Sequence, residues 1–134
     1  MRLKYIFLFL FITLPILSFS QNYRFRSISF SSRHLTSNQE WSEFSPWSAS
    51  GVLITMNSTT QRITIYSDSH QFYDIIDWFP ESVDDNGNSM YSAICMDENN
   101  TRCKMAWLVN KVEGSYIIFY FSNLELMYKV VLID

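Results

Sequence analysis

The stretch MYSAICMDENNTRCKMAWLVN, residues 90–110, consists of two apolar segments on either side of the polar run DENNT. Each segment has the length and the β-branched and aromatic content of a strand, and the polar run between them is typical of a turn. Pairing Cys95 with Cys103 sets the register of the two segments and places Tyr91 opposite Trp107. This stretch therefore predicts an antiparallel β-hairpin.

A second hairpin is predicted upstream, where residues 51–57 and 60–67 both alternate between apolar and polar side chains. With Ser58-Thr59 as a two-residue turn, Ile54 lies opposite Ile63 and the apolar side chains of both strands share one face.

Residues 116–121 and 126–133 continue the pattern as two strongly apolar strands, after a turn at residues 111–114. Carrying the register through both turns predicts which side chains share a face. One face holds Met105, Trp107, Val109, Tyr116, Ile118, Tyr120, Tyr128, Val130 and Leu132. The other holds Ala106, Leu108, Ile117, Phe119, Phe121, Met127 and Val131 around Lys129.

The fold class that these patterns predict is all-β. Seven or eight short strands joined by tight turns favour an antiparallel meander. Closure into a small up-and-down barrel removes the exposed edges, and about 114 residues suffice for eight strands. A two-sheet β-sandwich is the alternative fold.

The N-terminal part of the domain is predicted less regularly. Residues 23–30 are compatible with a strand that has Arg24 and Arg26 on one face and Tyr23 and Phe25 on the other. Ser37-Asn38-Gln39-Glu40 fits a capping box for a short helix over residues 38–44, and an irregular edge strand is the alternative, because Pro46 limits any helix. The segment from Trp41 to Trp47 is the candidate to cover the apolar outer face of the C-terminal hairpin.

The first twenty residues have the features of a signal peptide. A basic start with Arg2 and Lys4 precedes an apolar run, and Ser18-Phe19-Ser20 predicts cleavage before Gln21. The apolar run is shorter than the ~20 residues of a membrane-spanning helix. We therefore expect an exported protein, periplasmic or extracellular, in which residues 21–134 form a single β domain without a transmembrane segment.

The charge balance argues against nucleic acid as a partner. Outside the first twenty residues the chain has eight Lys and Arg against thirteen Asp and Glu, a net charge of −5. Binding to phosphate backbones normally requires a surplus of cationic side chains.

Cys95 and Cys103 are the only cysteines, and an exported protein keeps disulfides in its oxidising compartment. A bond between them closes a loop of nine residues, and the chain-entropy model gives it ~2.5 kcal/mol of stabilisation. Redox-active pairs have the closer Cys-x-x-Cys spacing. We predict a structural disulfide.

The sequence contains few signals for catalysis or metal binding, so no catalytic residue, metal site or cofactor is predicted. Residues 84–88, DDNGN, resemble a calcium loop but lack the later glycine and acidic residue of an EF-hand, which favours a solvated turn. His34 and His70 are far apart in the chain, which argues against zinc, and His70 is expected to be exposed. The possible carboxylate pairs for a hydrolase are Asp74 with Asp77 and Asp68 with Glu81.

Aromatic residues provide the remaining functional hypothesis. Tyr91, Trp107, Tyr120 and Tyr128 are predicted to share the barrel interior, where they line a cavity for a small amphipathic ligand or fill a core. The leading prediction is an exported, non-enzymatic β domain that binds a small ligand or a protein partner. The first alternative is a structural or assembly protein that uses an outer patch of Ile117, Phe119 and Val131, and the second is a hydrolase with a carboxylate site.

Several short motifs resemble those of small exported all-β proteins of Gram-negative bacteria. They are the Trp41 and Trp47 pair, Val52-Leu53-Ile54, Ile63-Thr64-Ile65-Tyr66-Ser67, Gln71-Phe72-Tyr73, Cys95-x-Asp97 with Cys103, and Tyr128. The resemblance implies a compact β domain, and it assigns no activity and no functional residues.

Overall fold

The computed structural model describes residues 22–133, so the predicted signal peptide and its cleavage site lie outside the described residues. The described chain contains ten β-strands. They are β1 (Asn22–His34), β2 (Ser48–Ala49), β3 (Leu53–Asn57), β4 (Arg62–Tyr66), β5 (Gln71–Trp78), β6 (Ser82–Val83), β7 (Ser89–Asp97), β8 (Arg102–Asn110), β9 (Gly114–Tyr120) and β10 (Leu124–Leu132). Between residues 22 and 133 there is no helix of the length and apolarity that crossing a membrane requires.

Eight of these strands form a closed antiparallel barrel, which confirms the predicted fold. The spatial order β1-β3-β4-β5-β7-β8-β9-β10 follows the chain, and β10 closes the barrel by pairing with β1. The short strands β2 and β6 extend the edges of β1 and β7. Closure leaves no long unpaired edge among the eight strands, which removes the main route to edge-to-edge aggregation.

The barrel core is built from alternate side chains of each strand, as a period of two requires. Its buried members are Phe25, Ile54, Met56, Ile63, Ile65, Tyr73, Ile75, Ala93, Cys95, Cys103, Met105, Trp107, Ile117, Phe119, Tyr128 and Val130.

The β7–β8 hairpin has the predicted register, with Cys95 opposite Cys103, but the predicted disulfide is not formed and both thiols are free. The Asp97 amide donates to the Thr101 carbonyl at 2.9 Å, which makes these two residues a hydrogen-bonded pair of the ladder. Hydrogen-bonded and open pairs alternate along an antiparallel ladder, so Cys95 and Cys103 are a hydrogen-bonded pair as well. Their side chains therefore stand farther apart than in an open pair.

The β3–β4 hairpin exists, but its predicted two-residue turn is wrong. Ile54 pairs with Ile65, and residues 58–61 form a four-residue connection. The Asn57 side-chain carbonyl accepts from the Thr59 amide at 2.9 Å, and Gln61 closes the turn with a left-handed φ of 54°. A shift of two residues keeps every side chain on its predicted face.

The β8–β9 turn corrects the predicted faces of β9. The loop has three residues rather than four, because Gly114 belongs to the strand and adopts a φ of 99° opposite Asn110. A slip of one residue exchanges the two faces of a strand. Consequently Ile117 and Phe119 lie inside, whereas Tyr120 lies outside.

The pairing of β9 with β10 also differs by one residue from the predicted register, and this second shift returns the side chains of β10 to their predicted faces. Phe119 pairs with Leu126 and Ile117 pairs with Tyr128. Tyr128 and Val130 therefore lie in the interior with Trp107, as the sequence predicts.

The residues between β1 and β2 form no helix, so of the two alternatives for this segment the helix is wrong and an irregular extended segment is found. The Thr36 amide donates to the Glu40 carbonyl at 2.7 Å, and the chain reverses at Gln39, whose φ is 63°. Trp41 then bridges to Leu35, and the chain runs back along β1. Hydrogen bonds to β1 replace the intrahelical bonds that a seven-residue helix with Pro46 close behind it would make.

Serine side chains attach this returning segment to β1. The hydroxyls of Ser27 and Ser50 lie 2.6 Å apart, and the Val52 amide donates to the Ser27 hydroxyl at 3.1 Å. The Ser31 hydroxyl donates to the Ser45 carbonyl at 2.6 Å. Both Ser27 and Ser31 are buried, so their polar atoms are paired as burial requires.

The same segment runs along the outside of β1 and reaches the C-terminal hairpin at Trp47, whose ring centroid lies 6.2 Å from that of Tyr116 on β9. The Arg33 guanidinium binds both carboxylate oxygens of Glu125 on β10, at 2.7 and 3.0 Å. It lies 4.9 Å from the ring centre of Trp41 and 4.8 Å from that of Phe44. Hydrogen bonding to Glu125 raises the pKa of Arg33.

Candidate ligand-binding site

Stacked rings fill the barrel interior around Phe119. The Tyr73 ring stacks on Phe119 with centroids 4.2 Å apart, and the rings of Tyr128 and Phe30 lie 4.9 Å apart. Burial raises the pKa of Tyr73 and of Tyr128. This part of the interior is a packed core.

A pocket of about 230 Å³ opens at the other end of the barrel, where β1 begins and β5 and β8 end. Its walls are formed by Tyr23, Met56, Asn57, Ser58, Ile75, Trp78, Tyr91 and Trp107. Four of these eight residues are aromatic and none carries a formal charge. Predominantly apolar concavities with a few polar groups are typical of small-molecule sites.

Cross-strand pairing brings the aromatic walls of this pocket together. Tyr91 on β7 lies directly opposite Trp107 on β8, and their ring centroids are 4.9 Å apart. The rings of Tyr23 and Phe25, both on β1, each meet the Trp107 ring edge-on, with centroids 5.0 Å apart in both pairs. Trp107 therefore contacts three aromatic rings.

A β-bulge in β5 supplies the fourth ring. Ile75 pairs with Cys95 but Asp77 pairs with Ile94, so one residue is inserted between them. The extra residue, Ile76, is turned outward, and Trp78 returns to the interior face opposite Ala93. Without the bulge Trp78 would lie on the outer face.

Two polar atoms at this pocket are buried and have no hydrogen-bond partner among the described residues. They are the indole Nε1 of Trp107 and the hydroxyl of Ser58. Trp107 is 9% exposed. A buried indole N–H is a donor only and ordinarily finds an acceptor, so its lack of one within the barrel requires an explanation.

The Asn57 side chain, by contrast, is already engaged by its own turn. Its carbonyl oxygen accepts from the amides of Thr59 and Thr60 at 2.9 and 3.2 Å. The carbonyl oxygen of Asn57 is therefore already used within the protein, whereas the buried polar atoms of Ser58 and Trp107 are not.

A carboxylate lies beside the pocket rather than within it. The pairing of Ser82 with Met90 places Glu81 next to Tyr91, and interaction with this carboxylate is the main cause of the raised pKa of Tyr91. Glu81 follows the end of β5, close in sequence to Trp78. The pocket therefore has aromatic walls, two unpartnered polar atoms and one negative charge beside Tyr91.

The structure brings together two of the four predicted ligand-binding residues. Tyr91 and Trp107 line the pocket. Tyr128 shares the interior but lies in the packed region, beside a separate depression near β2. Tyr120 lies on the outer face, because the loop between β8 and β9 is one residue shorter than predicted. Burial is the main cause of its raised pKa.

Sequence reasoning missed several residues of the pocket. Tyr23 could have been found, because its predicted face is that of Phe25. Trp78 could not, since a bulge leaves no periodic signal in a single sequence, and Ser58 lies in the turn whose length was mispredicted.

The predicted outer patch is corrected by the same register. Ile117 and Phe119 are fully buried in the core, and only Val131 is exposed, at 43%. These three residues therefore form no common surface.

Among the predicted carboxylate pairs, Asp74 is bound by the Arg62 guanidinium at 2.8 Å, and Glu81 lies next to Tyr91. His70 is exposed, as predicted, and lies against Tyr66. Within residues 22–133 no group of three or more His, Cys, Asp or Glu side chains is placed to hold a metal ion.

Residues 84–88 form the predicted turn. The Asp84 carboxylate accepts from the amides of Asn86 and Asn88, both at 2.9 Å, and Gly87 adopts a φ of 78°. Hydrogen bonding, chiefly from Asn88, lowers the pKa of Asp84. The Asp84 carboxylate therefore stabilises the turn to which it belongs.

The two thiols are placed for packing rather than for nucleophilic chemistry. Burial raises the pKa of Cys95 and of Cys103 to about 12. A thiol is reactive as the thiolate, so these buried cysteines are expected to be inert at neutral pH.

Fold and pocket together define a small closed antiparallel barrel with an aromatic cavity at one end. Comparison with protein-family models, with curated proteins and with solved structures finds no match to this chain. The resemblance to exported all-β proteins of Gram-negative bacteria stays a prediction.

Proposed function

We propose that this protein is an exported, non-enzymatic barrel that binds a small amphipathic molecule in the pocket lined by Tyr91 and Trp107. The observation that carries the proposal is the buried Trp107 Nε1, which has no acceptor among the described residues. A bound molecule with a carbonyl, ether or hydroxyl oxygen would provide that acceptor. The apolar remainder of such a molecule would contact Met56 and Ile75.

The size of the pocket limits the ligand. An engineered cavity of about 150 Å³ holds benzene, so a pocket of about 230 Å³ accommodates about ten non-hydrogen atoms by the same ratio. We therefore expect a ligand with one ring, or a branched aliphatic body, and one acceptor group.

A matched pair of probes tests the proposal in solution. Acetophenone and isopropylbenzene have the same number of non-hydrogen atoms and the same branching, but only acetophenone carries an acceptor. We expect acetophenone to bind more tightly by calorimetry, by about three- to tenfold, which is the ordinary contribution of one neutral hydrogen bond.

Two tryptophan variants locate the binding. Trp107→Phe keeps a ring and removes the N–H, so it should abolish the difference between the two probes. Trp47→Phe changes a half-exposed tryptophan on the outer segment and should leave both affinities unchanged. Equal binding of the two probes to the wild-type protein, or no binding of either, would contradict the proposal.

Native mass spectrometry of protein purified from its own host then identifies the natural ligand. We expect a mass increment of a compound of about ten non-hydrogen atoms and a chain that begins at Gln21. A chain that retains Met1 would contradict the proposed export.

A further inference from the structure

We propose that the ligand of this pocket is a compact organic cation, such as a quaternary ammonium compound with a hydroxyl group. The inference rests on the proposed function and adds the charge of the ligand. Its basis is the combination of four aromatic walls with a single carboxylate beside them.

The aromatic walls come from four different strands. Tyr23 lies on β1, Trp78 on β5, Tyr91 on β7 and Trp107 on β8. Aromatic faces attract cations through the negative potential of the ring, and enclosing rings are the usual recognition element for quaternary ammonium groups. The rings of Tyr23 and Tyr91 both contact Trp107, at 5.0 and 4.9 Å, so three of the walls are contiguous.

The charges around the pocket disfavour an anion. No Lys, Arg or His lines the pocket, and an anion buried there would have no charged partner. Glu81 lies next to Tyr91, because the preceding pair of the ladder joins Ser82 to Met90, and its carboxylate adds a negative potential at this wall. The net charge of −5 over residues 21–134 acts in the same direction at long range.

The unpartnered polar atoms determine the other end of the ligand. The Trp107 Nε1–H donates and the Ser58 hydroxyl can donate or accept, so a ligand hydroxyl can bond to both. A ligand with a cationic head against the rings and a hydroxyl toward Trp107 and Ser58 would use both the aromatic walls and the two unpartnered polar atoms.

Choline and its uncharged carbon analogue 3,3-dimethylbutan-1-ol form the matched pair that tests the charge. The two molecules have the same shape and the same hydroxyl group, and both are small enough for the pocket. We expect choline to bind about tenfold more tightly by calorimetry at low salt, the upper range of a desolvated cation–π contact. Equal or tighter binding of the uncharged alcohol would overturn the inference.

Two carboxylate variants separate a local effect from net charge. Glu81→Gln keeps an acceptor for Tyr91 but removes the charge, and it should weaken choline binding about three- to tenfold without affecting the alcohol. Glu43→Gln makes the same change of net charge on the outer segment and should leave both affinities unchanged. Equal effects of the two variants would contradict a role for Glu81.

Salt dependence gives a measurement that needs no variant. Raising the NaCl concentration should weaken choline binding and leave the binding of the alcohol unchanged, because only the former includes attraction to a charge. If neutral probes bind and choline does not, the inference fails while the proposed function holds. If no probe of either matched pair binds, the proposed function itself fails.

Discussion

Trp107 on β8 lies directly opposite Ile117 on β9, and both side chains point into the barrel. The three-residue loop between the two strands fixes this pairing, because Gly114 takes up the turn with a φ of 99°. A loop one residue longer would turn β9 over and place Tyr116 or Ile118 against Trp107 instead. The side chain that lies beside Trp107 in the core therefore depends on a turn several residues away from it.

Replacing Gly114 with alanine should destabilise the protein. A non-glycine residue at this positive φ costs about 1–2 kcal/mol, although the added Cβ would meet only the end of Lys129, 4.0 Å away. Gly51→Ala is the matched control, since its Cβ would meet no atom within 4 Å and its φ is not positive. Urea unfolding at pH 7 measures both, and an equal effect of the two changes would contradict the described turn.

Truncating Phe119 and Val131 to alanine should give very different results. Phe119 is fully buried, so Phe119→Ala should lower the free energy of unfolding by about 3–5 kcal/mol. Val131 is 43% exposed, and Val131→Ala should change it by less than about 0.5 kcal/mol. A larger loss of stability for Val131→Ala than for Phe119→Ala in urea unfolding would contradict the described register and support one in which Phe119 faces outward.

The cysteines should be two free thiols that react only on unfolding. Both are buried, at 0% and 4% exposure, and unbonded. Iodoacetamide at pH 7.5 should leave the folded protein unmodified and add two groups per chain in urea without reductant. An unmodified mass in urea would show that Cys95 and Cys103 are bonded to each other.

Stability should decrease at alkaline pH. Burial raises the pKa of both thiols from 9.0 to about 12, so above pH 9 the unfolded chain loses protons that the folded chain retains. Their contribution is complete below pH 9 and is lost as the pH rises toward 12. The double variant Cys95→Ala, Cys103→Ala should show a smaller decline of the urea midpoint between pH 9 and 11, and an unchanged decline would contradict this assignment.

The strands and their order could be predicted from the sequence because a half-buried strand alternates with a period of two. The register of the β7–β8 hairpin was also predicted, from the pairing of Cys95 with Cys103, although the two residues are cross-strand neighbours without a disulfide. The faces of β9 were not, because a three-residue and a four-residue loop are both compatible with KVEG at residues 111–114. A single residue there decides whether Tyr120 or Phe119 faces the core.

The pocket was predictable only in part for a related reason. Tyr91 and Trp107 follow from one hairpin, whereas Trp78 reaches the pocket through a bulge. The unpartnered atoms of Trp107 and Ser58 are properties of three-dimensional packing, which no residue pattern encodes.

The indole N–H signal of Trp107 tests the central claim most directly. In ¹⁵N-labelled protein the signal is assigned by its loss in Trp107→Phe, and the half-exposed Trp41 and Trp47 provide internal references. Adding acetophenone should move the Trp107 proton signal downfield, as formation of a hydrogen bond requires, and leave the two references in place. A Trp107 signal that does not move, or that moves together with those of Trp41 and Trp47, would contradict binding at this pocket.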